Sequence, residues 1–219
     1  NLEAAQVLAR YGLTATFYIT AGCLADGAPF WPSELRTLVH AVKSPRIELQ
    51  ADTVRASLPV STLTERAAAV SALTKIFKAN PIRIREELRE QLRQLAGVAK
   101  APSPMLTWHQ VRTMHRMGMD IGSHTMTHPN LPNAGLEDAR REVVESKRAL
   151  EAQLDAPVTM FSYPNGGAER YMTPAVAALV RDAGYAAAAT SRNAFAGPGS
   201  DLFALEPAQV GPQPGHPVF

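Results

Sequence analysis

The chain has 219 residues and is 46% hydrophobic, which is the size of one substantial domain and the composition of a packed globular protein. Its 22 basic and 20 acidic residues nearly balance, so net charge favours neither a nucleic-acid partner nor a strongly anionic ligand. The single cysteine, Cys23, excludes an internal disulfide framework and a cysteine-rich zinc site, and no apolar run reaches the roughly 18 residues that a membrane span needs.

A helix, a strand and a second helix are predicted in the first part of the chain. An apolar helical stripe runs from Leu2 to Leu8 and closes at Gly12, the usual place for a C-cap glycine. The β-branched and aromatic stretch from Thr14 to Thr20 predicts a buried strand. After a loop, the second helix is predicted from Ser33, as the N-cap, to about Val42.

Residues 45–101 differ from their surroundings and are interpreted as an insert. Two short segments, 46–51 and 53–57, indicate a small hairpin, and two helices follow from Thr62, the second opened by Pro81. The helices carry more basic than acidic residues: Lys75, Lys78, Arg83, Arg85, Arg89, Arg93 and Lys100 against Glu86, Glu87 and Glu90. Because the acidic residues interleave with the basic ones, a solvated helical lid is favoured over a surface that binds membranes or nucleic acid.

Helices and strands alternate from residue 107 onward. Helices are predicted at 108–117, 136–154 and 173–183, and strands at 119–121, 158–162, 185–190 and 204–210. Such repetition with short connections predicts an α/β fold with a parallel sheet, open or closed into a barrel. Functional residues of these folds lie where strands end, and the polar segments GSHTMTH and YPNGG follow predicted strands.

His124 and His128 stand four residues apart, directly after a predicted strand. If the loop makes one helical turn, the two imidazoles face the same way and suit zinc or a related divalent metal. Thr125 follows His124, so the pair is not the H-E-x-x-H motif of zinc proteases. The residues alone leave two interpretations open: a metal half-site, or one imidazole capping a carbonyl while the other packs as a polar side chain.

The segments together resemble the polysaccharide deacetylases, the NodB-homology group also called carbohydrate esterase family 4. GSHTMTHPNL resembles the H-[ST]-x-x-H metal motif of that family, and FSYPNGG resembles its third motif. NLEAAQVLARYGLTATFYIT, MLTWHQVRTMHRMGMDIGSHT and LVRDAGYAAAAT resemble the helices and strands around them. The resemblance covers residues 1–190 outside the insert. It implies a single domain over 1–219 with a distorted (β/α) barrel, incomplete at the N-terminus and at the C-terminus, and with the helical insert at about 45–101.

The resemblance also implies a metal site. The family holds a divalent metal, usually zinc, with two histidines, which match His124 and His128, and one aspartate. That aspartate and the aspartate that serves as general base belong to a T-F-D-D-G motif before the first helix. The motif is expected upstream of Asn1 and is absent from this sequence. The sequence is therefore expected to be a fragment that binds zinc weakly and shows little or no activity.

Other site residues follow from the third motif and the loops. The backbone from Tyr163 to Asn165 is implied as the oxyanion donor, and Tyr163 and Pro164 as substrate contacts. Trp31 lies in a loop after a predicted strand, and its position leaves two interpretations open: a core or groove-lining aromatic, or a substrate contact that stacks on a sugar. The general acid stays unassigned, because no L-x-H motif occurs near residues 202–210 and His216 has a different setting.

The function implied is a metal-dependent hydrolase that removes N-acetyl groups from a bacterial polysaccharide or oligosaccharide through attack of a water molecule activated by the metal. The same fold with another amide or acyl substrate is an alternative, and so is a non-catalytic carbohydrate-binding relative. A basic helical adaptor for membranes or nucleic acid is a third class. No nucleic-acid partner is expected, membrane contact by the insert stays open, and the sequence does not separate cytoplasm from cell envelope.

Overall fold

The computed structural model describes residues 1–25, 27–99, 101, 104–165 and 171–208. Its helices are α1 (Leu2–Arg10), α2 (Trp31–Ala41), α3 (Leu63–Ala79), α4 (Ile82–Ala96), α5 (Trp108–Arg116), α6 (Leu131–Ala134), α7 (Leu136–Leu154) and α8 (Pro174–Asp182). Its strands are β1 (Thr16–Ile19), β2 (Arg46–Ala51), β3 (Val54–Pro59), β4 (Asp120–Ser123), β5 (Met160–Ser162) and β6 (Ala187–Ala189).

The main sheet has four parallel strands in the order β1-β4-β5-β6, which confirms the predicted α/β class with a parallel sheet. An isolated parallel bridge from Ala189 to Leu205 stands where a last strand was predicted at 204–210; residues 209 and 210 lie outside the described part, as does His216. Within the described ranges the sheet is open and does not close into a barrel.

Local sequence signals set most helix ends. Capping boxes at Thr62 and Thr107 start α3 and α5, each with its side chain accepting a hydrogen bond from the N–H three residues later. The second predicted helix differs, because α2 begins at Trp31 with Phe30 as N-cap rather than at Ser33. Pro32 explains the difference, since proline suits the first turn of a helix.

Two hydrophobic cores divide the described residues. The first packs α1, α5, α7 and α8 against the parallel sheet. The second joins α2 to α3, α4 and the antiparallel hairpin of β2 and β3. The insert predicted at 45–101 thus shares its core with residues from Trp31 onward.

Two of the arginines on α4 do not belong to a solvated face of that helix. Arg85 and Arg89 are buried, and the carboxylate of Glu34 on α2, only 1% exposed, pairs with Arg89 and with Arg93. Arg89 and Arg93 therefore tie α4 to α2 through Glu34. None of the described helices combines the length and the apolar character that crossing a bilayer requires.

Candidate metal centre

The loop after β4 brings the two histidine rings together, with ring centroids 4.9 Å apart. The helical turn on which the sequence argument relied is not present. Thr125 and His128 instead adopt positive φ angles of 67° and 57°, which are uncommon for residues other than glycine. The histidine loop, residues 124–128, is thus folded by two left-handed residues rather than by helical spacing.

Hydrogen bonds inside the loop and to α7 hold this backbone. Residues in left-handed conformations cost on the order of 1–3 kcal/mol each and persist only where the surroundings fix them. Thr125 Oγ1 accepts from the N–H of His128 at 3.0 Å. The Glu142 carboxylate accepts from the N–H groups of Met126 and Thr127, each at 2.8 Å, and from the Thr127 hydroxyl. Burial raises the pKa of Glu142, against the effect of these hydrogen bonds.

Two residues from the insert side of the fold, Arg85 and Trp31, donate hydrogen bonds to the histidine loop. The Arg85 guanidinium, 2% exposed, donates from Nη2 to Thr127 Oγ1 at 2.9 Å. The indole N–H of Trp31 donates to the carbonyl of His128 at 2.9 Å. Trp31 is also 2% exposed and packs edge-on against Phe77. The predicted sugar-stacking role of Trp31 is therefore corrected: its ring is buried, and it positions His128.

Gly22, in the turn after β1, packs directly against the backbone of the histidine loop. Gly22 donates its N–H to the carbonyl of Met126 at 3.0 Å, and a Cβ at Gly22 would lie 2.7 Å from that oxygen. Only glycine allows this approach. Cys23, next in the chain, is buried and places its sulfur 3.6 Å from the same carbonyl. Burial raises the pKa of the Cys23 thiol to about 12.

The two imidazoles are suited to binding a divalent metal. His124 Nδ1 lies 2.8 Å from the carbonyl oxygen of Ser162, and since that oxygen can only accept, Nδ1 carries the proton and Nε2 has a free lone pair. His128 Nδ1 is buried with no hydrogen-bond partner among the described residues. Burial lowers the pKa of both rings, to about 3 for His128, where the charges of His124 and Lys78 contribute. Neutral imidazole is the form that binds metals.

Both histidines line a cleft of about 300 Å³. Tyr18, Phe30 and Leu106 contribute to its walls, and the Phe30 ring meets that of His128 at 5.2 Å, edge to face. Asn1 lines the same cleft. No group of three or more His, Cys, Asp or Glu side chains suited to a metal occurs in the described part of the chain.

The described third-motif residues, 161–165, include Ser162, whose carbonyl meets His124, but they are not part of the cleft lining. Tyr163 is 1% exposed; its hydroxyl donates to the carbonyl of Phe203 at 2.8 Å and its N–H to that of Ala189 at 3.1 Å. Both donors of Tyr163 are therefore used within the core, so neither its N–H nor its side chain is free for the predicted oxyanion and substrate roles. Asn165 has φ 61° and a buried amide nitrogen with no partner in the described part. Pro164, between them, is buried.

Sequence reasoning missed Phe30, Arg85 and Glu142. A signal for the last two was available, because each charge sits in an apolar helical stripe. Arg85 shares the buried face of α4 with Leu88, and Glu142 shares that of α7 with Val143. Charged residues are seldom fully buried without a partner, so such positions indicate a specific contact.

The chain is similar in sequence to known polysaccharide deacetylases. The sequence profile described as polysaccharide deacetylase matches residues 2–188. A chitooligosaccharide deacetylase from Sinorhizobium fredii is 42% identical over 40 residues, which are 18% of this chain and 19% of that protein.

Two solved structures share the fold. The Streptococcus pyogenes deacetylase PplD, in complex with acetate, gives a TM-score of 0.54 at 17% identity, covering 94% of this chain and 57% of that one. The BpsB deacetylase domain from Bordetella bronchiseptica gives 0.50 at 10% identity, covering 94% and 64%. The chain thus spans less than two thirds of each of these three proteins.

Proposed function

This chain belongs to the polysaccharide deacetylase family, and we propose that it acts as a metal-dependent hydrolase removing N-acetyl groups from a bacterial polysaccharide. The observation that carries the proposal is the pair His124 and His128. Two half-buried imidazoles, whose pKa values burial lowers, face one cleft where a parallel strand ends, which is the usual place of functional residues in such sheets.

The residues of the cleft have separate tasks in this proposal. His124, oriented by the Ser162 carbonyl, and His128, fixed through Trp31, hold the metal. Zinc bound there would polarise the acetamide carbonyl and lower the pKa of water. The rings of Tyr18 and Phe30 form an apolar wall that suits the acetyl methyl group and limits access of bulk solvent.

The remaining functional groups are proposed on the cleft geometry and the family pattern. An aspartate ligand and an aspartate general base would come from the T-F-D-D-G motif, which precedes the first helix in the family. Asn1, at the start of α1, lines the cleft of both histidines, which is where such a motif would have to reach. The oxyanion donor is assigned to the backbone N–H of Asn165, since the N–H of Tyr163 donates to the carbonyl of Ala189 and Pro164 has no N–H.

Zinc titration by calorimetry tests the metal site in the chain as given. We expect one weak site that is lost in His124→Ala and in His128→Ala. His109→Ala is the matched control, because His109 is exposed on α5. Unchanged stoichiometry in both variants would refute the assignment of the ligands.

Acetate release from chitooligosaccharides tests the reaction. We expect release to depend on added zinc and to be abolished in His124→Ala. Binding of the oligosaccharide without release would favour the non-catalytic carbohydrate-binding alternative. Release from other acylated or amide substrates, with none from any N-acetylated oligosaccharide, would favour the alternative hydrolase on the same fold.

A further inference from the structure

A second and larger groove lies between α3 and the segment that follows His128. Its volume is about 740 Å³, and its lining includes the basic side chains of Arg36 on α2 and of Lys75 and Lys78 on α3. The other described lining residues are apolar, hydroxyl, amide or tyrosine side chains, and none of them carries a carboxylate. The groove is therefore a positive concave surface on a chain with a net charge of only +2.

The groove carries positive charge, whereas the arginines of α4 are all neutralised by ion pairs outside it. Each of them pairs with a carboxylate: Arg83 with Asp52 and Glu87, Arg85 with Glu86, Arg89 with Glu34 and Glu86, and Arg93 with Glu34 and Glu90. Within the described ranges, Arg36 and Lys75 form no such ion pair. The positive charges of Arg36 and Lys75 are thus available to bind an anion at the groove.

The groove is fixed next to the histidine cleft. The carbonyl of Lys78, near the end of α3, accepts hydrogen bonds from Asn130 Nδ2 at 3.0 Å and from Asn133 Nδ2 at 2.8 Å. Asn130 lines the groove and follows His128 by two residues, so their α-carbons are separated by at most about 7 Å. A polymer held at the histidine cleft therefore has the groove within a few sugar units of it.

We propose that this groove binds anionic sugar residues, so that the substrate is an acidic N-acetylated polysaccharide carrying carboxylates near the acetamide that is cleaved. This inference rests on the proposed deacetylase function and names the class of its substrate. Arg36 and Lys75 contact the carboxylates, and the hydroxyl and amide groups of Thr74 and Asn133 contact sugar hydroxyls.

The chemistry of the lining favours a glycan over other polyanions. Non-specific binding of single-stranded nucleic acid uses several aromatic platforms in series, and Tyr171 is the one aromatic residue among the described lining residues. Docking to an anionic membrane uses an apolar face that enters the interface, whereas this surface is concave and polar.

Equilibrium binding of labelled oligosaccharides to the chain tests the proposal. Hyaluronan oligosaccharide supplies alternating carboxylates and N-acetyl groups, and chitooligosaccharide of equal length is the uncharged match. We expect tighter binding of hyaluronan at about 50 mM salt than at about 500 mM salt, because salt screens exposed charges. The double variant Arg36→Glu/Lys75→Glu should weaken hyaluronan binding about tenfold and leave chitooligosaccharide binding unchanged. Arg148→Glu is the control, since Arg148 is exposed on α7 and lies outside the groove lining.

Three results would overturn the proposal. They are equal affinity for the two oligosaccharides, hyaluronan binding that the double variant does not weaken, and tighter binding of a thymidine oligonucleotide of equal charge. Thermal unfolding of each variant separates a lost contact from a lost fold. None of these readouts needs the metal, so loss of zinc binding or of acetate release would count against the proposed function and not against the groove.

Discussion

Replacing Glu142 by alanine tests whether α7 holds the histidine loop in its metal-binding shape. The Glu142 carboxylate accepts from the N–H groups of Met126 and Thr127, each at 2.8 Å, and from the Thr127 hydroxyl. Alanine removes these acceptors. It leaves two peptide N–H groups without a partner in a segment that is largely shielded from solvent.

The loss in stability follows from those contacts. A donor left without a partner costs about 1–3 kcal/mol, so two of them cost about 2–6 kcal/mol. Burial raises the pKa of Glu142, which means that its charge is partly desolvated, and the variant is relieved of that cost. We therefore expect the free energy of unfolding to fall by about 3 kcal/mol. Glu142→Gln keeps one oxygen that can accept from both N–H groups and should lose about 1 kcal/mol.

Urea denaturation of the chain gives these values, and zinc titration gives the effect on the site. The affinity for zinc should fall about tenfold in Glu142→Ala, the size typical for groups that orient metal ligands. Glu145→Ala is the control, because Glu145 is exposed on the same helix, and it should stay within about 0.5 kcal/mol of the parent. Equal stability of Glu142→Ala and Glu145→Ala, or unchanged zinc affinity in Glu142→Ala, would refute the reasoning.

Three further predictions concern buried groups. Trp31→Phe removes the donor to the His128 carbonyl and leaves a cavity where the larger indole is buried, so the free energy of unfolding from urea titration should fall by more than about 1 kcal/mol, the value of the bond alone; no change would mean that the bond is unimportant. Glu34→Ala leaves two arginines of α4 without their buried partner and should cost about 3–5 kcal/mol, whereas the exposed control Glu90→Ala should cost under about 0.5 kcal/mol in the same assay. Burial raises the pKa of Cys23 to about 12, so Ellman's reagent at pH 8 should label it only after unfolding in urea; rapid labelling of the native chain would contradict its burial.

Features set by local sequence were predicted well. The bounds of α7, 136–154, agree with the prediction, because apolar residues recur at helical spacing from Leu136 to Leu154. The hairpin of β2 and β3 and the start of α3 were also predicted, since turn residues and a capping box act within a few positions. The placement of the histidines directly after β4 follows from the same local pattern.

The shape of the histidine loop depends on distant contacts and was not predicted. Arg85 and Thr127 are 42 positions apart, and Trp31 and His128 are 97 apart. Spacing of four residues suggested a helical turn, but the left-handed Thr125 and the buried partners of the loop determine its real path. Trp31 was interpreted from its local setting as a loop residue. Its role depends instead on the hydrogen bond that its indole, in the second core, donates to the carbonyl of His128.

The division into two cores gives the two histidines anchors in different parts of the fold. His124 is fixed by the parallel sheet, through the carbonyls of Ile19 and Ser162. His128 is fixed through Trp31, a residue of the second core. If the second core opened alone, which native-state hydrogen exchange would detect, His128 would lose this anchor while the sheet stayed folded. A shortened chain without residues 45–101 would lose the anchor too, because α2 would have no core left to pack against.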